Sequence, residues 1–199
     1  MKIPDRILRV TSGVGVVAFL LFGTILAPSI FAFSAHAEVA AAPEKNPPGD
    51  IPDSQVFINY TSTSGYAFKV PEGWARTETS TSVSFIDKLD GIVVTTAQAA
   101  TAPTLDSVKA SYIPELEKTG RAIKIKQVTA VDLPAGKAIS IAYSSNSDPN
   151  PVTNKQVRLE NTRYLYFKDG RLVALDLYAP YGADNVDQWN LISQSFQWK

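Results

Sequence analysis

Apolar positions along this 199-residue chain fall into three regimes. Residues 10–33 contain no charged side chain. Residues 38–55 are rich in alanine and proline and show no apolar period. From Val56 onward, short apolar runs alternate with clusters of Gly, Pro, Asn and Asp. That last pattern predicts many short strands, interrupted twice by helical spacing.

The strand signals can be placed. Tyr66, Phe68 and Val70 alternate onto one face, and a Thr/Ser/Gly stretch at 61–65 joins them to a strand at 57–60. Pro71, Glu72 and Gly73 end that strand, and Trp74 follows. Val83 and Phe85 share a face, residues 87–91 turn the chain, and the β-branched run 92–97 returns. Residues 123–133 and 138–143 form another pair around Pro134-Ala135-Gly136, with Ile139, Ile141 and Tyr143 on one side. The clearest hairpin is 164–179. Asp169-Gly170 suits a type I′ turn because both residues tolerate positive φ. This turn sets Phe167 opposite Leu172, Leu165 opposite Ala174, Tyr166 opposite Val173 and Arg163 opposite Asp176. Both faces of the hairpin are mostly apolar, so it belongs in the middle of a sheet. Arg163 and Asp176 read as a cross-strand ion pair.

Helical period appears at Leu105, Val108, Tyr112 and Leu116, with Thr104 as a cap, Gly120 as a stop and Pro114 as a source of a kink or a break. It returns near the end. There Asp184 reads as an N-cap with Asp187 in capping-box position. Val186, Trp189 and Ile192 form the expected buried stripe, and Phe196 and Trp198 sit at core spacing.

The predicted fold class is α+β: a mostly antiparallel β-sheet flanked by helices. The expected organisation is a signal peptide at 1–37, an Ala/Pro-rich spacer at 38–55 and one domain at 56–199. Lys2, Arg6 and Arg9 precede the uncharged run, and Ala35 and Ala37 present the small side chains that a signal peptidase accepts, which predicts cleavage before Glu38. An uncleaved membrane anchor is the competing expectation, since the run is long enough to span.

GYAFKVPEGW, carrying Tyr66, Phe68, Pro71, Gly73 and Trp74, is followed by Phe85-Ile86-Asp87, Asp169-Gly170-Arg171-Leu172 and Ser195-Phe196. In this order the motifs resemble the PsbP-like family, which includes the extrinsic subunits of photosystem II and the mycobacterial LpqN-type envelope proteins. The resemblance spans residues 57–198, and the GADNVDQW segment is closest to the LpqN type. It implies an α/β/α sandwich and an accessory binding role. No catalytic set carries over, because Tyr66, Pro71, Gly73 and Trp74 all have packing explanations. The chain departs from the lipoproteins in having no cysteine for a lipid anchor.

Charge narrows the function further. Residues 38–199 carry 16 of the 19 basic and 18 of the 19 acidic residues, which gives no steering toward nucleic acid. The one histidine, His36, lies in the expected signal peptide, so the domain has neither His nor Cys. Zinc or iron sites and the common nucleophile–base pairs are thereby disfavoured. Ser107 with Lys109 has the wrong spacing for a Ser-Lys hydrolase. Asp87 with Asp90, and Asp184 with Asp187, read as turn and cap residues and not as paired catalytic carboxylates. The oxygen-rich run 144–150 is the only calcium candidate and reads as a solvated loop. The expectation is an exported, non-enzymatic accessory or binding protein of the bacterial cell envelope, without a cofactor. Its partner would be an envelope protein, a lipid or a small ligand. The alternative is a carboxylate- or serine-dependent extracellular hydrolase.

Overall fold

The computed structural model describes residues 38–45 and 48–199, so the uncharged run and the cleavage residues Ala35 and Ala37 lie outside it. These described residues form one compact unit. Its strands are β1 (Phe57–Ser62), β2 (Tyr66–Pro71), β3 (Ala75–Glu78), β4 (Ser82–Asp87), β5 (Asp90–Gln98), β6 (Lys124–Leu133), β7 (Gly136–Asn146), β8 (Arg158–Lys168), β9 (Arg171–Pro180) and β10 (Gln197–Trp198). The helices are α1 (Leu105–Ser107), α2 (Ile113–Thr119) and α3 (Val186–Ser195). Every described strand pairing is antiparallel.

The larger sheet has seven strands in the order β3-β4-β5-β9-β8-β7-β6. Its centre is the β8–β9 hairpin, as the two apolar faces require. Asp169 and Gly170 both adopt positive φ, 50° and 76°. The register pairs Phe167 with Leu172, Leu165 with Ala174, Tyr166 with Val173 and Arg163 with Asp176.

The two faces of this sheet bury different layers. On one, Val83, Phe85, Ile92, Val94, Tyr166, Val173, Leu175 and Leu177 pack against Tyr60, Tyr66, Phe68, Val70, Ile192 and Phe196. That second layer is the small sheet β1-β2-β10 together with α3. On the other face, Ile139, Ile141, Tyr143, Leu165 and Ala174 meet Val108 and Leu116 of the helical segment. The described layers are therefore helix, sheet, and a mixed layer of small sheet and helix, an α+β fold.

The helical segment 105–119 starts on a reciprocal cap. Thr104 Oγ1 accepts from the Ser107 amide at 3.1 Å, and Ser107 Oγ accepts from the Thr104 amide at 2.9 Å. The segment does not break at Pro114. Instead Val108–Tyr112 forms a π-helical turn that carries α1 into α2. Proline lacks an N–H and its ring crowds the carbonyl four residues back, and a widened turn relieves both problems. The motif residues sit as follows. Tyr66 and Pro71 are buried in β2, Gly73 turns with φ +88°, and Trp74 is half-buried against the first core.

Three expectations are corrected by the structure. First, the N-cap of α3 is Asn185 and not Asp184, with no side-chain cap bond, and Asp187 closes no capping box. Val186 is 64% exposed, and the buried positions are Gln188, Ile192 and Ser193. Second, residues 48–53, part of the stretch with spacer composition, lie against the domain. Ile51 is buried, its amide donates to Asn185 Oδ1 at 2.6 Å, and Asn185 Nδ2 donates to the Gly49 carbonyl at 2.7 Å. Gln188 Nε2 donates to the Ile51 carbonyl at 3.1 Å. The polar residues of α3 thus face inward because they hold an extended backbone that brings no partners of its own. Third, Ser144, Ser145 and Asn146 belong to β7 and are buried, not part of a solvated loop. Strand β3 is an addition: all four of its residues are exposed, so it carries no apolar alternation.

The same docked segment covers Asp90. This side chain is 6% exposed, and its Oδ1 has no hydrogen-bond partner among the described residues. Gly49, at φ +119°, lies so close that a Cβ there would stand 2.7 Å from Asp90 Oδ1. Burial, followed by repulsion from Asp87 and Asp50, pushes the Asp90 carboxyl up to about 7, against a smaller opposing effect of Lys88. The folded state therefore prefers Asp90 protonated. This contribution is complete below the ordinary aspartate value of 3.8 and is lost as pH rises through about 7. Urea midpoints should fall between pH 4 and pH 8, and Asp90→Asn should flatten that fall. An unchanged slope in the variant would show that Asp90 is not its source.

Candidate functional site

The helical segment covers only part of its face of the large sheet. Beyond it, alternate residues of β7, β8 and β9 line an open cleft of about 820 Å³, a size that accommodates a small ligand. Tyr143 and Ser145 come from β7, Asn161 and Arg163 from β8, and Asp176 and Tyr178 from β9. These residues share a face because side chains alternate along each strand and the registers place Tyr143 opposite Asn161, Asn161 opposite Tyr178, and Arg163 opposite Asp176. Gly91 makes room for the aromatic floor. A Cβ there would meet the Tyr178 ring at 2.1 Å, so only glycine lets that ring lie across β5.

The polar floor is closed on itself. Arg163 Nη2 donates to Asp176 Oδ2 at 2.5 Å, and Nη1 donates to Tyr112 Oη at 3.2 Å. Tyr143 Oη donates to Asp176, 2.8 Å from Oδ2 and 3.0 Å from Oδ1. The guanidinium lies 5.6 Å from the Tyr143 ring centre and 6.0 Å from that of Tyr112, both within cation–π range. Burial opposes the charge on Arg163, but Asp176 and the surrounding tyrosines outweigh it and hold the group protonated. Burial raises the Tyr143 hydroxyl pKa, and the Asp176 charge raises it further, so the phenol stays neutral. Within this floor, Arg163 Nε is buried and has no hydrogen-bond partner among the described residues.

This chemistry suits binding better than bond breaking. The Ser145 hydroxyl accepts from Asn161 Nδ2 at 2.9 Å, and an amide N–H cannot act as a general base. Asp176 is held between Arg163 and Tyr143. Among the described residues, no group of three or more Asp, Glu, His or Cys is placed to hold a metal ion. Of the calcium candidate run, Asp148 pairs with Arg121 at 2.9 Å, and Ser144 Oγ accepts from Arg158 Nη2. Asp87 and Asp90 pair across the β4–β5 turn. Of the cleft residues, sequence singled out the Arg163–Asp176 pair, as an ion pair, and the oxygen-rich run 144–150, as a calcium candidate; it did not bring them together. The available signal was Tyr143, Arg163 and Asp176 at inward positions of adjacent strands.

Comparison with solved structures places this architecture. The solution structure of cyanobacterial PsbP (CyanoP) from Synechocystis superposes with a TM-score of 0.52 over 76% of this chain and 98% of that one, at 16% sequence identity. The chain has the PsbP fold. The resemblance in GYAFKVPEGW and in the Asp169-Gly170 hairpin therefore reflects a shared fold: the first lies in the small sheet and the turn after it, the second at the centre of the large sheet. The crystal structure of LpqN, involved in cell envelope biogenesis of Mycobacterium tuberculosis, matches at 13% identity and a TM-score of 0.43, over 73% of this chain and 91% of that chain. No protein-family model and no curated protein matches the sequence.

Proposed function

We propose that this chain is an exported, non-enzymatic accessory or binding protein of the bacterial cell envelope that takes its ligand or partner in the cleft beside α2. The observation that carries the reading is the closed polar floor. Arg163, Asp176, Tyr143 and Tyr112 bond one another, which leaves a rigid, mostly neutral surface walled by Leu116, Ile123 and Leu159. Such a surface can select a shape, but it holds no activated nucleophile. The PsbP fold is compatible with this role. The expected mature chain starts at Glu38, after cleavage behind Ala35 and Ala37, and any membrane contact is confined to residues 1–37.

The test uses the full chain expressed in cells for crosslinking and the purified chain 38–199 for turnover. Photo-crosslinkers at Lys88 and Asn150, on the rim of the cleft, should capture one reproducible envelope protein, lipid or small molecule in intact cells. A crosslinker at exposed Lys118 on α2 should not. Hydrolytic turnover that persists through purification and vanishes in Asp176→Asn or Ser145→Ala would instead establish the hydrolase. Mass analysis of the exported protein decides the start. An intact N-terminus retained in membranes would establish the anchor.

A further inference from the structure

Glu38, Val39 and Ala41 are held by a set of side chains at one rim of the cleft, apart from its Arg163–Asp176 floor. Asn146 is 4% exposed, and its own amide is fixed by the Arg121 carbonyl at 2.9 Å. Its side chain spends both ends on a neighbouring main chain: Oδ1 accepts from the Ala41 amide at 2.9 Å and Nδ2 donates to the Val39 carbonyl at 2.8 Å. That is how an extended peptide is read, through backbone atoms two residues apart. The Glu38 carboxylate meets three donors. Asn146 Nδ2 and Gln156 Nε2 reach Oε1 at 3.1 and 2.5 Å, and Arg121 Nη1 reaches Oε2 at 3.2 Å. Behind Asn146 stands Arg158, itself 4% exposed. Among the described residues it donates only to neutral acceptors, namely the Ala122 carbonyl, Asn146 Oδ1 and Ser144 Oγ. A buried guanidinium without a carboxylate among its bonds creates a positive field that an anion in front of Asn146 offsets.

We infer that Asn146, Gln156, Arg121 and Arg158 form a binding site for an extended, carboxylate-bearing peptide, and that its resident ligand is the chain's own segment 38–41. The site reads the carboxylate first and two backbone groups after it, so the small side chains of Val39, Ala40 and Ala41 are tolerated and not selected. Hydrogen bonding from Asn146, then from Gln156 and Arg121, holds the Glu38 carboxyl below its ordinary value, as an occupied anion site requires. The segment closes one rim of the cleft, since Arg121, Asn146 and Gln156 line both.

The test reads the Ala41 amide in the chain 38–199. Its hydrogen exchange should be slow, and Gln156→Ala or Arg121→Ala, both at the surface, should each speed it about tenfold through loss of a charge-assisted bond. Exchange at the free-peptide rate, or a rate unmoved by both substitutions, overturns the assignment. A second arm adds the hexapeptide Glu-Val-Ala-Ala-Ala-Pro to the chain 44–199, checked for cooperative melting. The peptide should shift the Asn146 side-chain resonances there and leave those of 38–199 in place, while a Glu-to-Gln peptide should shift them about tenfold less at equal concentration. Equal shifts in both chains would overturn the proposal. So would a 38–199 dimer that dissociates on truncation to 44–199, because the segment would then sit on a second copy.

Discussion

Phe196→Ala is expected to destabilise the domain by about 3–5 kcal/mol, the cost of removing a buried aromatic ring without refilling its volume. Phe196 is 1% exposed and lies at the centre of the first core. Its ring stacks on Tyr166 at 4.1 Å and 10°, lies 5.6 Å from Tyr66 and 6.5 Å from Phe68, and meets Trp198 edge-on at 5.4 Å. Deletion therefore strips contacts from both sheets at once. A domain of this size should lose roughly 10 °C in melting temperature. Phe196→Leu, which keeps most of the volume, should cost clearly less. Equal losses for the two variants would mean that volume is not what the site measures.

Arg163→Met should cost about 3 kcal/mol, because Asp176, at 13% side-chain exposure, would lose its guanidinium partner and keep only the Tyr143 hydroxyl. The double variant Arg163→Met, Asp176→Leu should recover most of that loss, since two matched apolar side chains fill the space without a stranded charge. Urea titration of the four proteins gives the coupling directly. If the double variant is as unstable as the sum of the two singles, the pair is not a coupled unit and the floor of the cleft is held by other contacts.

The elements that sequence reveals are those whose reasons are local. Asp169-Gly170 sets its turn by backbone preference alone, and every pairing of β8 with β9 follows from that turn. Thr104 and Gly120 bound the helical segment in the same way. What sequence hides depends on partners distant along the chain. Asn185 and Gln188 look like the wet side of a helix, yet they are buried because residues 49–53 bring unpaired backbone groups to them. Ser144, Ser145 and Asn146 look like a loop because their neighbours Arg158, Asn161 and Glu38 are far away in sequence. Ala75–Glu78 has no apolar position to announce a strand, because β3 is an outer strand that buries nothing. The cleft was half legible: its ion pair and the Asn161–Tyr178 pair follow from the hairpin register, whereas Tyr143 and Ser145 join them only once β7 is paired.

The joining of β10 to β2 also sets the order in which the protein can be assembled. Gln197 and Trp198 pair with Ala67 and Tyr66, and Phe196 fills the space between Tyr66 and Tyr166. During synthesis Tyr66 leaves the ribosome long before Phe196 does, with nearly the whole domain in between. Until that late aromatic arrives, the small sheet has one bare edge and the first core has a hole at its centre. Contacts this distant are closed late and slowly, because the loop entropy is spent before any burial compensates it. The growing chain is thus kept from a stable native state until Phe196 and β10 are made available, and a chaperone or transport machinery that takes only unfolded polypeptide has that whole interval in which to engage it.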